Sequence, residues 1–258
     1  MALIYLVRHG QAGAGMSGYG GAGDERSVES RYDGLTDLGR RQAATVGEAL
    51  ARRLDGGPRL PVICGPLHRQ HDTAAAVARA LDGTEPAAEP VTDTAWKELD
   101  SDSVVVPWLR RNPETAARLK AATGHDEDAP DAAPVMREVL AGAIGEWVGG
   151  ESFRQFRATV LSGLTRAAAS ARQDGGAVVA TSAGVIATCT AAVSGLSRQV
   201  VPPLMGRVYN ASVTVIKVTD EPRDPRAGYV GAELVSFNEY AHLDRTDATG
   251  ARPELTLL

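Results

Sequence analysis

Aromatic residues are scarce: Trp, Tyr and Phe together make up 5% of the 258 residues. With 43% hydrophobic residues the chain can still bury a full core, so that core must be mostly Ala, Val, Leu and Ile. Cysteine is nearly absent. Cys64 and Cys189 each sit inside an apolar run, which points to buried free thiols and not to a disulfide framework. No apolar stretch approaches the roughly 20 residues needed to span a bilayer. The opening MALIYLVRHG is apolar for only a few residues and carries no basic leader. It reads as a strand, not a signal peptide, and the expected location is the cytoplasm. Neither sign of charge dominates: 27 Lys and Arg stand against 32 Asp and Glu, a net −5. That balance argues against nucleic acid or a membrane surface as the partner. It still admits a small anionic substrate, because a few arginines in a cleft dominate locally.

What is present reads as alternating strands and helices. Ala2 to Val7 is a short buried strand, and a Gly-rich stretch without periodicity, Gly10 to Gly23, follows it. Leu35 to Leu54 has helical spacing with Thr36 as N-cap. Pro61 to Cys64 is a second strand, and Gly65-Pro66 turns the chain into a helix from about Leu67 to Leu81. Residues 83–150 differ in composition: they hold Trp96, Trp108 and Trp147 and an acidic link, GHDEDAPDAAP, between helices near Pro107–Lys120 and Pro134–Val148. A helix opening at Ser152 runs to about Arg172. Gly176 to Thr181 is a strand, Gly184 to Val193 a helix, and Val208 to Val218 and Tyr229 to Phe237 are strands joined through the turn EPRDPRAG. The pattern predicts one α/β domain over 1–258. It is a three-layer α/β/α sandwich, with a mostly parallel sheet, helices on both faces and a helical insert at about 83–150.

Ligands of such sheets bind at the carboxyl ends of the strands. Arg8-His9-Gly10 stands directly after the first strand. Arg69, in Gly65-Pro66-Leu67-His68-Arg69, falls in the first turn of the helix after the second. Helix N-termini attract anions, and an arginine there adds a fork that matches phosphate oxygens.

These residues carry a resemblance. LVRHGQA at 6–12, LTDLGRRQA at 35–43, GPLHRQHDTA at 65–74, GES at 150–152 and TSAGVI at 181–186 resemble, in order, the motifs of the histidine phosphatase superfamily, the phosphoglycerate mutase-like proteins. NASVTVI and SFNEYAHLD resemble one branch of it. The resemblance implies that His9 is a nucleophile forming a phosphohistidine and that Arg8 and Arg69 clamp the phosphate. An acid in the loop near residue 98 would protonate the leaving oxygen, and water would release phosphate. Gly10, Gln11 and Ser182 complete the implied substrate-binding set. No metal or other cofactor is implied, since the arginines supply the positive charge.

Two departures stand out. Glu98 is followed by Asp100, Ser101 and Asp102 where the family has Gly and Trp-Glu-Gly, so the acid is Glu98 or Asp100. Ser182 stands where the family has a second histidine. It can donate a neutral hydrogen bond to phosphate, and it also suits the N-cap of the following helix. His68 and His71, at i and i+3, could ligate a metal, but no third ligand is evident. His125 lies in the acidic link, and His242 reads as a packing or hydrogen-bonding residue.

The expected activity is a metal-independent phosphomonoesterase acting on a small phosphorylated metabolite. A mutase is disfavoured because GQAGAGMSGYG does not resemble the mutases' longer context. Two readings stay open beside it: a weak or inactive anion-binding regulatory member, motivated by Ser182, and a tailoring enzyme on a substrate without phosphate. Homodimerisation also stays open.

Overall fold

The apolar run at the N-terminus forms β1, Leu3–Arg8, buried from Ile4 onward because it lies inside a sheet covered on both faces. The computed structural model describes residues 1–13, 33–55, 57–83, 88–123, 132–220, 231–246 and 254–257. The sheet adds β2 (Val62–Cys64), β3 (Val91–Thr92), β4 (Gly176–Thr181), β5 (Val213–Val218) and β6 (Ala232–Glu239), in the order β3-β2-β4-β1-β5-β6. The first four of these neighbours run parallel, and β5 and β6 are antiparallel additions at one edge. Arg8 pairs with Thr181, and Cys64 with Ala180. This register sets the carboxyl ends of β1, β2 and β4 side by side.

Alternation along β1 splits the core in two. Tyr5 and Val7 face Val46 and Leu50 of α1 (Asp37–Arg53) and Ala74 and Val77 of α2 (His68–Asp82). Ile4 and Leu6 face Leu161 and Leu164 of α6 (Glu151–Asp174) and Ile186 and Cys189 of α7 (Ala183–Val193). Every residue of α7 is buried, so it can be apolar all round. Burying a side chain such as Leu164 contributes about 1.5–3 kcal/mol, and small Ala side chains let the layers approach closely. The sandwich matches the expected fold class, with both cysteines buried and free.

Between α2 and α6 the chain supplies β3 and the buried Trp96, and then a helical layer: α3 (Ser101–Arg111), α4 (Pro113–Ala122) and α5 (Ala132–Gly149). Val105, Leu119, Met136, Val139 and Ala143 give this layer a small core of its own. Trp147 joins it to α6 through edge contacts with Phe153 and Phe156, at 5.0 and 5.2 Å. The single helix expected over Pro107–Lys120 is two. Asp100 caps α3 by accepting from Asp102 N, which starts the helix early and leaves Pro107 inside it. Pro113 disfavours helical backbone at the residue before it, and Asn112 takes φ −124°, ψ 67°.

The strand expected from Val208 begins at Val213. Residues 208–212 turn instead, with Ala211 at φ 54°. The start of α1 is as expected: Thr36 Oγ1 accepts from Gly39 N at 3.0 Å. A short α8, Val201–Met205, follows α7. Among the described residues no helix is long and apolar enough to cross a membrane. Most of the Gly-rich stretch, most of the acidic link with His125, and the turn of the 220s lie outside the described residues.

Candidate active site

The ladder between β1 and β4 continues one residue past β1, where His9 N donates to Thr181 O at 2.8 Å. His9 then stands at the carboxyl edge of the sheet. The next two amides are held from α2 and α1: Gly10 N donates to Thr73 Oγ1 at 3.1 Å, and Gln11 N to Gln42 Oε1 at 2.7 Å. Here the 8–11 backbone passes very close to the start of α1. A Cβ on Gly10 would come within 2.3 Å of Gly39 O, and one on Gly39 within 2.0 Å of Gln11 O. Only glycine at both positions allows this approach.

Arg8, His9 and Arg69 are 1%, 2% and 4% exposed, so their charges interact where water screens little. His9 Nδ1 lies 2.7 Å from Gly10 O. A carbonyl only accepts, so Nδ1 carries the hydrogen and Nε2 presents its lone pair. Arg69, from the first turn of α2, donates through Nε to that His9 Nε2 at 3.3 Å and through Nη1 to Asp33 Oδ1 at 3.2 Å. Burial holds the His9 pKa well below its usual range, and the positive charges of Arg69 and Arg8 push it the same way. The imidazole is therefore neutral near pH 7. Arg8 Nη1 donates back to Val208 O, which fixes its reach.

Glu98 joins this group and Asp100 does not. Glu98 Oε2 accepts from Gly184 N and Oε1 from Leu99 N, both at 2.9 Å. Burial raises its pKa, while those two N–H groups, Arg69 and Arg8 oppose the rise. A Cβ on Gly184 would stand 2.4 Å from Glu98 Oε1, so a larger residue there would push the carboxylate aside. Asp100 is exposed and spent on capping α3.

Ser182 is buried at the end of β4, and its side chain makes no capping bond to α7. Glu98 takes that position by accepting from Gly184 N. Ser182 Oγ instead accepts from Gln70 Nε2 at 2.9 Å. Gln70, which sequence reasoning missed, is fully buried and also donates to Trp96 O at 2.9 Å. It thereby ties the starts of α2 and α7 to the loop that carries Glu98. The signal available was position alone: Gln70 follows Arg69 in the same first turn. Asp33 was missed as well.

The remaining expectations fall around this centre. Gln11 turns its side chain toward α1, where Oε1 accepts from Thr36 Oγ1 at 2.9 Å. His68 is exposed, with Nε2 4.0 Å from Asp33. His242 Nε2 bonds Ala211 O at 2.9 Å. Among the described residues no group of three or more His, Cys, Asp or Glu is arranged to hold a metal ion.

The fold has solved counterparts. The chain is similar to a mycobacterial glucosyl-3-phosphoglycerate phosphatase crystallised with VO3, at 22% identity and a TM-score of 0.55, over 93% of this chain and 100% of that one. A phosphoglycerate mutase from Bacillus anthracis str. Sterne gives 16% identity and 0.54, over 93% and 94%. A phosphoserine phosphatase mutant from Entamoeba histolytica, in complex with phosphoserine, gives 17% and 0.50, over 94% and 100%. No curated protein sequence matches significantly. The sequence profile of the histidine phosphatase superfamily (branch 1) matches residues 4–226, a span that takes in the parallel strands from Ile4 onward and the side chains gathered around His9. This chain belongs to the histidine phosphatase superfamily, branch 1.

Proposed function

We propose that this protein is a metal-independent phosphomonoesterase acting on a small phosphorylated metabolite through a phosphohistidine at His9. The observation that carries this reading is the state of His9: buried, neutral, with Nε2 presenting a lone pair beside the Arg69 guanidinium. A neutral imidazole is a competent nucleophile, and phosphoryl transfer depends on positioning and charge neutralisation more than on covalent help. In the first step Nε2 attacks phosphorus and the P–O ester bond breaks. Glu98, whose raised pKa favours the carboxylic acid, gives its proton to the leaving alkoxide. In the second step water attacks phosphorus, the P–N bond breaks, and Glu98 takes the proton back. Arg8 and Arg69 neutralise the phosphoryl oxygens throughout, the task a divalent metal performs elsewhere. Gly10 and Gln11 shape the loop under the phosphate, and Ser182 donates a neutral hydrogen bond to it.

The structural neighbours that are phosphatases of glucosyl-3-phosphoglycerate and of phosphoserine support a small phosphorylated substrate. Hydrolysis is preferred to mutase chemistry, because the mutase-like context after Gly10 is missing from the sequence. The balanced charge argues against a nucleic-acid or membrane surface as the main partner. The test is release of phosphate from an aryl phosphate and from a panel of phosphorylated metabolites, with EDTA present. Turnover that survives EDTA supports the reading. A strict need for added divalent metal contradicts it.

A further inference from the structure

A closed relay of hydrogen bonds runs behind the nucleophile and passes through the C-terminal end of the chain. Gln11 N donates to Gln42 Oε1 at 2.7 Å. Gln42 Nε2 donates to Thr256 Oγ1 at 2.8 Å and to Glu254 O at 2.7 Å. Thr256 Oγ1 donates to Asn210 Oδ1 at 3.0 Å, and Asn210 Nδ2 donates to His9 O at 3.2 Å. The relay begins on the amide of Gln11 and ends on the carbonyl of His9, so it brackets Gly10 from both sides.

Its direction is forced. Gln11 N–H can only donate, which turns the oxygen of Gln42 toward it and the NH2 toward Thr256. The Thr256 hydroxyl, having accepted from Gln42, gives its one hydrogen to Asn210 Oδ1. Asn210 must then face His9 O with its NH2. Gln42 and Asn210 are buried, so each group left unpaired would cost about 1–3 kcal/mol. A second tie reinforces the bracket: Asn210 N donates to Thr256 O at 2.9 Å. Ala211, held at φ 54°, directs its N–H at Arg8 O and His9 O, at 3.0 and 3.3 Å. A non-glycine residue in that conformation persists only where its surroundings over-determine it.

We infer that Thr256, Gln42 and Asn210 are positioning residues for the nucleophile loop, and that the C-terminal segment around Thr256 is a working part of the site. The inference rests on the reading of His9 given above. Thr256 lies beyond residues 4–226, the span that matches the family, so this support is carried by the chain's own C-terminal end. Leu255, beside it, anchors the segment by packing against the core on the α1–α2 side of the sheet.

The test uses the full chain with Thr256→Val, which keeps shape but removes both hydroxyl bonds, Thr256→Ser, which keeps them, and Leu255→Ala as a packing control. Two readouts are taken: kcat with inhibition by inorganic phosphate, and hydrogen–deuterium exchange of the peptide spanning residues 3–11. Thr256→Val is expected to lower kcat about tenfold, equivalent to ~1.4 kcal/mol. Phosphate inhibition should stay nearly unchanged, exchange at Gly10 and Gln11 should rise, and Thr256→Ser should restore both readouts. Unchanged exchange at 8–11 in a folded Thr256→Val protein overturns the inference. So does an equal effect of Leu255→Ala that Thr256→Ser shares, since the segment then acts by packing alone. If the wild type turns over no phosphomonoester, the functional reading fails while the exchange readout still decides this one.

Discussion

Arg69 Nε points at His9 Nε2 across 3.3 Å, with both side chains buried, so the arginine that would clamp phosphate also adds to the burial that lowers the pKa of His9. Arg69→Ala removes both effects. A hydrogen bond to a charged group contributes about 1.5–3 kcal/mol, so kcat/KM should fall at least ~10- to 150-fold. Loss of the nearby positive charge should also let the His9 pKa rise, moving the acid limb of the pH profile upward. Steady-state kinetics across pH check both. Arg69→Lys should not restore activity, because an ammonium cannot address His9, Asp33 and phosphate with one planar fork. Wild-type kinetics in Arg69→Ala would place this residue outside the reaction.

The pH profile of kcat/KM should be shifted toward acid. His9 must be neutral, and its pKa lies well below 6.5, so activity is lost on acidification only once the pH falls through that lowered value. Glu98 must hold its proton, and its pKa is raised above 4.5, so activity declines as the pH rises through that raised value. An alkaline limb that persists unmoved in Glu98→Gln contradicts the assignment of Glu98 as the acid.

Leaving-group dependence separates that acid from a structural carboxylate. Glu98→Gln should slow alkyl phosphates by about 10²–10⁴, the usual contribution of general acid catalysis, and p-nitrophenyl phosphate much less, because nitrophenolate leaves without a proton. Gly184→Ala should produce a milder version of the same pattern, since its Cβ would displace Glu98 Oε1 from a 2.4 Å approach. Equal losses on both substrate classes would argue that Glu98 only shapes the loop.

Ser182 receives a hydrogen bond from Gln70, which leaves its own hydrogen for a phosphate oxygen. Ser182→Ala should therefore cost up to about tenfold in kcat/KM, one neutral hydrogen bond at most. Ser182→His should raise aryl phosphate turnover by roughly 5- to 30-fold, the difference between a neutral and a charge-assisted bond. Wild-type rates in Ser182→Ala would make Ser182 a spectator.

Much of this site could be read from residues alone, for a physical reason. Short apolar runs bounded by glycine mark buried strands, and polar residues directly after them, Arg8, His9 and Ser182, fall at the ligand-binding edge of a parallel sheet. Thr36 declared the start of α1 through ordinary capping chemistry. Long-range pairing was not legible. Glu98 and Asp100 are acids two positions apart in a loop without periodicity, and only the approach of Gly184 distinguishes the one that turns inward. Gln42, Gln70 and Asn210 look like surface amides until their partners, distant in sequence, are known. Capping failed as a guide at Ser182 for the same reason: a carboxylate from another loop reached α7 first. Pro107 misled because an Asp cap seven residues earlier had already started the helix around it.

His9 is the claim on which the rest depends. The most direct measurement is rapid quenching of the enzyme with 32P-labelled substrate, followed by acid and base stability of the bound label. The expected result is an acid-labile, base-stable phosphoenzyme in the wild type, no label in His9→Ala, and loss of essentially all turnover in a variant that remains folded. Full turnover in His9→Ala, or label that survives its removal, would contradict phosphohistidine chemistry at this residue.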